Sequence, residues 1–204
     1  MSGFFITFEG VEGAGKTTQI LLLKDRLTAN GHTVFATRCP GGEPVAEAIR
    51  SVLLHATGPV NAGCELLLFT AARAQVTSQI IRPHLELGEV VIMDRFLDST
   101  VAYQGHARNQ DLEAVRAMNL FATGGLLPDI TILLDTDPSI GLARQMDRNR
   151  MEDESIEFHQ RVRTGYLAEA ERDSDRLKVI DANRTVEEVH EDIWQAVNSA
   201  LAIR

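Results

Sequence analysis

The sequence predicts an α/β fold of three layers, in which helices flank both faces of a five-stranded parallel sheet. Short apolar runs that are typical of buried strands alternate along the chain with segments whose apolar residues recur at helical spacing. Some runs are continuously apolar, as at residues 90–93, which favours strands covered on both faces. A glycine-rich turn joins the first strand to the first helix. Because the 204 residues contain no linker-like tract, we expect a single domain over residues 1–204.

The strands are predicted where apolar and β-prone residues are bounded by glycine, proline or acidic residues. In chain order they cover residues 4–8, 32–37, 90–93, 130–134 and 177–180. The carboxyl ends of parallel strands meet at one edge of a sheet, and ligands of open α/β sheets bind there. The residues that follow each strand are therefore the first candidates for a site.

Helices are predicted between the strands from the helical period of the apolar residues. They cover residues 19–27, 45–55, 65–87 and 111–122, one that begins at residues 137–138, and one over residues 185–201. Pro83 is expected to bend or interrupt the third of these helices, because proline lacks a backbone donor. Thr185 and Glu188 form a capping box at the start of the last one.

The composition is that of an ordinary globular protein, with 44% hydrophobic and 24% charged residues. The net charge of −9 argues against a nucleic-acid partner, and no apolar run approaches the length of a membrane span. The two cysteines, Cys39 and Cys64, are too few for a disulfide framework and have no metal-ligand spacing. We therefore expect a cytoplasmic protein that binds neither nucleic acid nor membrane.

The turn after the first strand fits the pattern G-x-x-x-x-G-K-[ST], which predicts a nucleoside triphosphate site. Its residues are Gly10, Val11, Glu12, Gly13, Ala14, Gly15, Lys16, Thr17 and Thr18. The glycines let several backbone N–H groups point at one anion, and the helix N-terminus adds its dipole. Lys16 is expected at the outer phosphates and the Thr17 hydroxyl at Mg²⁺.

Charged residues follow the second and third predicted strands. Arg38 precedes the turn at residues 40–42, where an arginine suits bidentate contact with a phosphate; an exposed turn arginine is the alternative. Asp94 and Arg95 follow four apolar residues, and burying such a pair is costly unless both charges have partners. Asp94 is expected to orient a Mg²⁺-bound water or the attacking phosphate, and Arg95 to bind phosphate. A structural ion pair is the alternative.

Neutral polar side chains close to these charges suit a sugar and the edge of a base. They are Ser99, Thr100, Tyr103 and Gln104. Phe69 and Arg73 stand at i and i+4 of a predicted helix, which places an aromatic ring beside a cation. This pair suits a pyrimidine, although a core phenylalanine with a neighbouring arginine is equally compatible with the spacing.

A dense group of charges surrounds Arg144, Arg148 and Arg150. A mobile lid at about residues 144–155 is the functional interpretation, because its guanidinium groups would then reach a migrating phosphoryl group. A solvated face of salt bridges is the alternative.

Taken together, these motifs resemble those of the thymidylate kinase family, in its bacterial form with lid arginines. The motifs that carry the similarity, which extends over nearly the whole chain, are residues 8–19, 37–42, 69–75, 94–105 and 150–167. The resemblance implies a P-loop nucleoside monophosphate kinase fold, ATP and Mg²⁺ as cofactors, and a homodimer. It also implies transfer of the ATP γ-phosphoryl group to dTMP, giving dTDP and ADP for dTTP synthesis.

The resemblance implies a role for each matching residue of the acceptor site. Arg38 and Arg95 would hold the dTMP phosphate, and Phe69 would stack on thymine. Arg73 would donate to a base carbonyl, and Thr100 would meet the edge of the base.

Further implied roles concern the sugar and the lid. Glu12 would lie near the deoxyribose 3′-hydroxyl, and Tyr103 would occupy the place of a ribose 2′-hydroxyl. Gly13 stands where some family members have an arginine, which implies that Arg148 and Arg150 of the lid supply that charge.

Three positions depart from the family pattern: Cys39 replaces a glutamate, Glu43 a threonine and Asn149 an aspartate. The missing carboxylate leaves open how Arg38 is held. We hypothesise that Cys39 is exposed in the empty site and has thiolate character beside Arg38.

Three other functions fit a phosphate loop: another pyrimidine nucleotide or nucleoside kinase, an ATPase or switch that hydrolyses without an acceptor, and a non-catalytic nucleotide-binding module. Residues 94–105 argue against the second. The lysine, hydroxyl and acidic partners of the loop argue against the third.

Overall fold

The computed structural model describes residues 3–144 and 149–203. The strands are β1 (Phe4–Glu9), β2 (Val34–Arg38), β3 (Val90–Asp94), β4 (Ile130–Asp135) and β5 (Leu177–Asp181). They form one parallel sheet in the order β2-β3-β1-β4-β5. The five predicted strands are confirmed, and each lies within two residues of its predicted bounds.

The helices that cover the sheet are α1 (Lys16–Ala29), α2 (Pro44–His55), α3 (Ala62–Val76), α4 (Arg82–Glu86), α5 (Leu97–Thr100), α6 (Leu112–Thr123), α7 (Pro138–Ala143), α8 (Ile156–Arg172) and α9 (Val186–Ala202). Two π-helical turns extend them: Thr77–Ile81 joins α3 to α4, and Val101–Ala107 continues α5. The predicted capping box of Thr185 and Glu188 opens α9. In the described part of the chain, no helix has the length and apolarity needed to cross a bilayer.

The helix predicted over residues 65–87 is not continuous. The π-helical turn Thr77–Ile81 interrupts it, and Pro83 lies in the first turn of α4. Proline is tolerated in a first turn because its missing N–H has no intrahelical partner there. The predicted interruption at Pro83 is therefore confirmed, and it begins on the N-terminal side of the proline.

Two helical segments have no counterpart in the sequence analysis: α5 with its π-helical continuation, and α8. Both carry many polar side chains, which weakens the apolar period by which helices are recognised. Residues of α5 and its continuation line a cleft of the site described below. From α8, Tyr166 reaches that site through hydrogen bonds with Glu9 of β1 and with Arg95 after β3.

Strand β1 separates two hydrophobic cores. Phe4, Ile6 and Phe8 point into a core shared with α1, α8 and α9, whereas Phe5 points into a core on the opposite face. This alternation is the two-residue period of a strand. It explains why all six residues of β1 are buried, Thr7 and Glu9 included.

The ends of three strands are fixed side by side at the carboxyl edge of the sheet. The backbone N–H of Cys39, after β2, donates to the Asp94 carbonyl at 2.9 Å. The N–H of Arg95, after β3, donates to the Phe8 carbonyl of β1 at 2.9 Å. These hydrogen bonds place the glycine loop that follows β1 beside the residues that follow β2 and β3.

Candidate active site

The phosphate loop packs directly against α7. A Cβ on Gly13 would lie 2.0 Å from the carbonyl oxygen of Gly141, and Gly13 also has a φ of +67°. A Cβ on Gly141 would lie 2.0 Å from the carbonyl oxygen of Glu12. Glycine is therefore required on both sides of this backbone contact. Position 13 has no room for an arginine in this chain.

Lys16, the first residue of α1, is buried and turns back over the loop. Its Nζ donates to the carbonyl oxygens of Gly10 at 3.2 Å and Val11 at 3.0 Å. Burial lowers the pKa of Lys16, and the positive charge of Arg95 lowers it further. A bound anion would offset both effects, because it would neutralise crowded positive charge.

Glu12 and Arg95 form a partly buried ion pair between the loop and the end of β3. Arg95 Nη2 donates to Glu12 Oε2 at 2.7 Å, and the Tyr103 hydroxyl donates to Glu12 Oε1 at 2.8 Å. Burial alone would raise the pKa of Glu12, but Arg95, Lys16 and Tyr103 together lower it to about 2. Glu12 is therefore ionised, and it holds Arg95 against the loop.

A second polar group, which the sequence analysis did not assign, lies beneath this pair. Glu9 is fully buried and accepts from the Ser99 hydroxyl at 2.5 Å and the Tyr166 hydroxyl at 2.9 Å. Burial and the nearby charge of Asp98 raise its pKa. Arg95 Nη1 donates to the same Tyr166 hydroxyl at 2.9 Å and to Ser99 Oγ at 3.3 Å. Ser99 and Tyr166 thus support the guanidinium from below.

Three guanidinium groups, those of Arg38, Arg50 and Arg95, converge on the cleft beside the phosphate loop. Arg38 Nη2 donates to Glu47 Oε1 at 2.9 Å, and the same oxygen accepts from the Gly42 N–H at 2.8 Å. A carboxylate from α2 therefore holds Arg38 in place of the glutamate that Cys39 replaces.

Arg50 of α2 also lines this cleft, although no recognisable sequence motif surrounds it and it was not predicted. Its Nη1 donates to the Pro40 carbonyl at 2.9 Å. Burial lowers its pKa, and so does the neighbouring charge of Arg38. The convergence of three guanidinium groups on one cleft indicates an anion site.

Asp94 and Thr17 line the same cleft. Asp94 Oδ1 is buried and has no hydrogen-bond partner among residues 3–144 and 149–203. Carboxylate and hydroxyl oxygens suit Mg²⁺, which usually takes one or two protein ligands together with water and phosphate oxygens. These two residues therefore fit the magnesium ion that the sequence predicts.

Phe69, Arg73 and Thr100 line a second cleft. Arg73 is almost fully buried, and its Nη1 donates to Asn119 Oδ1 at 2.6 Å. Its Nη2 donates to the Phe96 carbonyl at 2.8 Å and to Thr100 Oγ1 at 2.6 Å. The cleft is also lined by Ser99, Tyr103 and Gln104. All the residues predicted for a sugar and a base thus meet in one place.

The arginines of the predicted lid lie in different places. Arg144 Nη1 donates to the Gly13 carbonyl at 3.1 Å, at the phosphate loop. Arg150 Nε donates to the Leu53 carbonyl at 2.8 Å, and its Nη2 lies 2.7 Å from a carboxylate oxygen of Glu65. It therefore contacts α2 and α3 rather than the loop. Arg148 lies outside the described residues.

The hypothesis that Cys39 is exposed and has thiolate character is wrong. Cys39 is only 4% exposed and packs in the core that contains Phe5 and Phe96. Burial raises the pKa of its thiol, and this effect outweighs the opposing charge of Arg73. The side chain is a packing group.

The two clefts adjoin each other. Both clefts are lined by Glu12, Cys39, Arg50, Arg95 and Glu152. A triphosphate on the glycine loop and a second anion on the arginines would face each other across this shared wall. A parallel sheet with these two sites at its carboxyl edge defines a P-loop kinase that phosphorylates a small acceptor.

Comparison with known proteins identifies the family. The thymidylate kinase family profile matches residues 8–193. The thymidylate kinase of Syntrophotalea carbinolica is 48% identical, over 97% of this chain and 96% of that protein. That of Deinococcus radiodurans is 45% identical, over 96% of this chain and 97% of that protein.

The structural comparison agrees. The crystal structure of thymidylate kinase from Ehrlichia chaffeensis matches with a TM-score of 0.82 and 33% identity, over 97% of this chain and all of that one. The chain belongs to the thymidylate kinase family. Its activity is that of the family, phosphoryl transfer from ATP to thymidylate.

Proposed function

We propose that the two clefts hold the two substrates of this reaction, with ATP on the phosphate loop and dTMP in the neighbouring cleft. The observation that carries the proposal is that the two clefts adjoin and share lining residues, among them Glu12, Arg50 and Arg95. Arg95 is paired with Glu12 of the loop and supported by Tyr166. A phosphate bound to Arg95 from the acceptor side is therefore adjacent to phosphates bound by the loop.

On the donor side, the backbone N–H groups of residues 10–18 cradle the phosphates, and Lys16 exchanges its carbonyl partners for the outer phosphates. Thr17 and Asp94 hold Mg²⁺, with Asp94 acting partly through water. The ion, when bound, neutralises charge on the phosphate oxygens. The buried, unpartnered Oδ1 of Asp94 supports this assignment.

On the acceptor side, Arg38 and Arg95 hold the phosphate of dTMP, and Arg50 joins them. Phe69 stacks on the base, and Arg73 donates to a base carbonyl. Both residues line the cleft, and the buried position of Arg73 supports a fixed, directional contact.

The remaining acceptor residues surround the sugar and the base edge. Tyr103 excludes a ribose 2′-hydroxyl, Glu12 lies near the 3′-hydroxyl, and Ser99, Thr100 and Gln104 supply polar contacts. The hydrogen bond from Tyr103 to Glu12 supports a rigid wall at the sugar.

Catalysis then rests on positioning and electrostatics, because the attacking oxygen of dTMP is already anionic. Lys16 and arginines of a lid at about residues 144–155 neutralise the moving charge, and a Mg²⁺ ion held by Thr17 and Asp94 would supply further positive charge. For Arg150 to take part it must leave Glu65, so Arg148 and Arg144 are the other candidates. The lid also excludes water, which would otherwise hydrolyse ATP.

We further propose that the chain is one kinase domain, works as a homodimer and resides in the cytoplasm. The exposed apolar side chains of Leu67, Leu120 and Phe121 on the adjacent helices α3 and α6 support a subunit interface there. Two free cysteines, Cys39 and Cys64, support a reducing compartment.

A coupled assay of ADP release tests the substrate assignment. Acceptors are dTMP, dUMP, dCMP, dAMP and thymidine, each with ATP and Mg²⁺. We expect ADP release that depends on a pyrimidine monophosphate and is fastest with dTMP. Release at the same rate without any acceptor would instead favour a P-loop hydrolase, and preference for thymidine would favour a nucleoside kinase.

A further inference from the structure

Glu65, in the first turn of α3, is a completely buried carboxylate that the proposed mechanism does not use. Its Oε1 accepts from Gln104 Nε2 at 2.9 Å and from Arg108 Nε at 3.2 Å. Its Oε2 accepts from Arg108 Nη2 at 3.2 Å and lies 2.7 Å from Arg150 Nη2. Burying a carboxylate is costly unless it is paired and hydrogen-bonded, and here both oxygens are paired.

The partners of Glu65 keep it ionised. Burial would raise its pKa, but hydrogen bonds from Arg108, Gln104 and Arg150 outweigh burial and lower the pKa. An ionised carboxylate can only accept hydrogen bonds. Gln104 must therefore turn its NH₂ group toward Glu65, because its carbonyl oxygen would meet another acceptor there.

This constraint decides which end of the Gln104 amide is left for a ligand. Gln104 is buried and lines the same cleft as Phe69 and Arg73. Within residues 3–144 and 149–203, its Oε1 has no hydrogen-bond partner, whereas its Nε2 is committed to Glu65. The group left free beside the cleft is thus an acceptor.

We propose that Glu65 is a positioning residue that sets base specificity: it holds Gln104 so that the amide carbonyl accepts from the N3–H of the pyrimidine. The inference rests on the proposed binding of dTMP in this cleft. Thymine and uracil carry a proton on N3, whereas the N3 of cytosine is an acceptor. A cytosine would therefore place two acceptors face to face, which leaves buried polar groups unpaired.

The test is the ratio of kcat/KM for dTMP to kcat/KM for dCMP in Glu65→Gln. A glutamine at this position can donate or accept, so the Gln104 amide is free to turn over. We expect the ratio to fall by at least about tenfold. The ratio of kcat/KM for dTMP to kcat/KM for dUMP should stay constant, because both bases carry N3–H.

Glu169→Gln is the matched control, because it changes another buried glutamate, which pairs with Arg116 and does not line either cleft.

A double-mutant cycle separates positioning from a general structural effect. In a Gln104→Leu background, Glu65→Gln should leave the dTMP to dCMP ratio unchanged, since Glu65 acts through the amide that has been removed. The same loss of selectivity in both backgrounds would overturn the inference. So would a wild-type ratio in folded Glu65→Gln.

If thermal melting shows that Glu65→Gln does not fold, Arg108→Gln is assayed instead. This substitution removes an ion pair of Glu65, and Arg108 lines neither cleft. We expect a smaller loss of selectivity in the same direction, and an unchanged ratio would overturn the inference. Wild-type protein that does not phosphorylate dTMP would refute the proposed function itself, which is a separate outcome.

Discussion

Arg95 has a left-handed backbone conformation, with a φ of +66°, which is uncommon for a residue other than glycine. Such a conformation costs on the order of 1–3 kcal/mol and persists only where surrounding contacts impose it. Here the contacts are the backbone bond to Phe8 and the side-chain bonds to Glu12 and Tyr166. They fix the guanidinium before any ligand arrives, which is the preorganisation that charge stabilisation requires.

The pairing of Glu12 with Arg95 predicts a pH-dependent stability. The folded pKa of Glu12 is about 2, below its ordinary value of 4.5. Its contribution is therefore complete above pH 4.5 and is lost as the pH falls toward 2; linkage puts it at about 3 kcal/mol. The difference in unfolding free energy between wild type and Glu12→Gln should be largest near pH 6 and narrow steadily below pH 4.5.

Urea denaturation at a series of pH values from 3 to 7 measures this difference. Glu86→Gln, a change at an exposed glutamate of α4, is the control for the loss of one surface carboxylate. A gap between wild type and Glu12→Gln that stays constant across the whole range would contradict the pairing.

Helix α7 is short, and its backbone packs against the phosphate loop. The close contact between Gly141 and Glu12 makes the helix a support for the phosphate loop. Alanine is normally the better helix former, so Gly141→Ala would stabilise an isolated helix. In this chain its Cβ would lie 2.0 Å from the Glu12 carbonyl, and the loop must shift to relieve the clash.

We therefore expect Gly141→Ala to raise KM for ATP by roughly tenfold or more, since misplacement of a binding loop by about 1 Å is costly. KM for dTMP should change less. Steady-state kinetics with each substrate varied measures both. Gly58→Ala is the control, because a Cβ there meets nothing within 4 Å. Unchanged ATP kinetics in Gly141→Ala would show that the loop does not depend on this contact.

Among the secondary-structure elements, strands were easier to predict from the sequence than helices. Strands β1 and β3 are buried on both faces, so apolar residues dominate both of them. Helix α8 has the spacing of a buried face at Phe158, Val162 and Tyr166, but charged residues between them hide the period. The π-helical turns leave no comparable signal, because packing against neighbouring helices decides them.

The site residues that could be predicted from the sequence are those that lie in local motifs. The phosphate loop and the residues that follow β2 and β3 are contiguous in sequence, and the sheet brings them to one edge. Glu9 and Glu65 act through partners that are far away in the chain, and Arg50 acts through its place in the cleft, so no local pattern marks them. Their roles follow only from the tertiary structure.

The proposed homodimer can be tested by substituting one exposed residue of its proposed interface on α3 and α6. Phe121 on α6 is 88% exposed, its chain neighbour Leu120 is 48% exposed, and Leu67 on the adjacent helix α3 is 60% exposed. Large apolar groups at such exposure are costly in water unless a partner covers them. An aspartate in the centre of such an interface would be buried without a partner charge.

We expect the wild type to show twice the chain mass of 22.5 kDa in solution, and Phe121→Asp to show the mass of one chain. Light scattering coupled to size exclusion, at micromolar protein, measures this. Leu87→Asp is the matched control, because Leu87 is another largely exposed apolar residue, at 74%, that precedes β3 rather than lying on α3 or α6. A monomeric wild type would refute the dimer, and a dimeric Phe121→Asp would place the interface on another face.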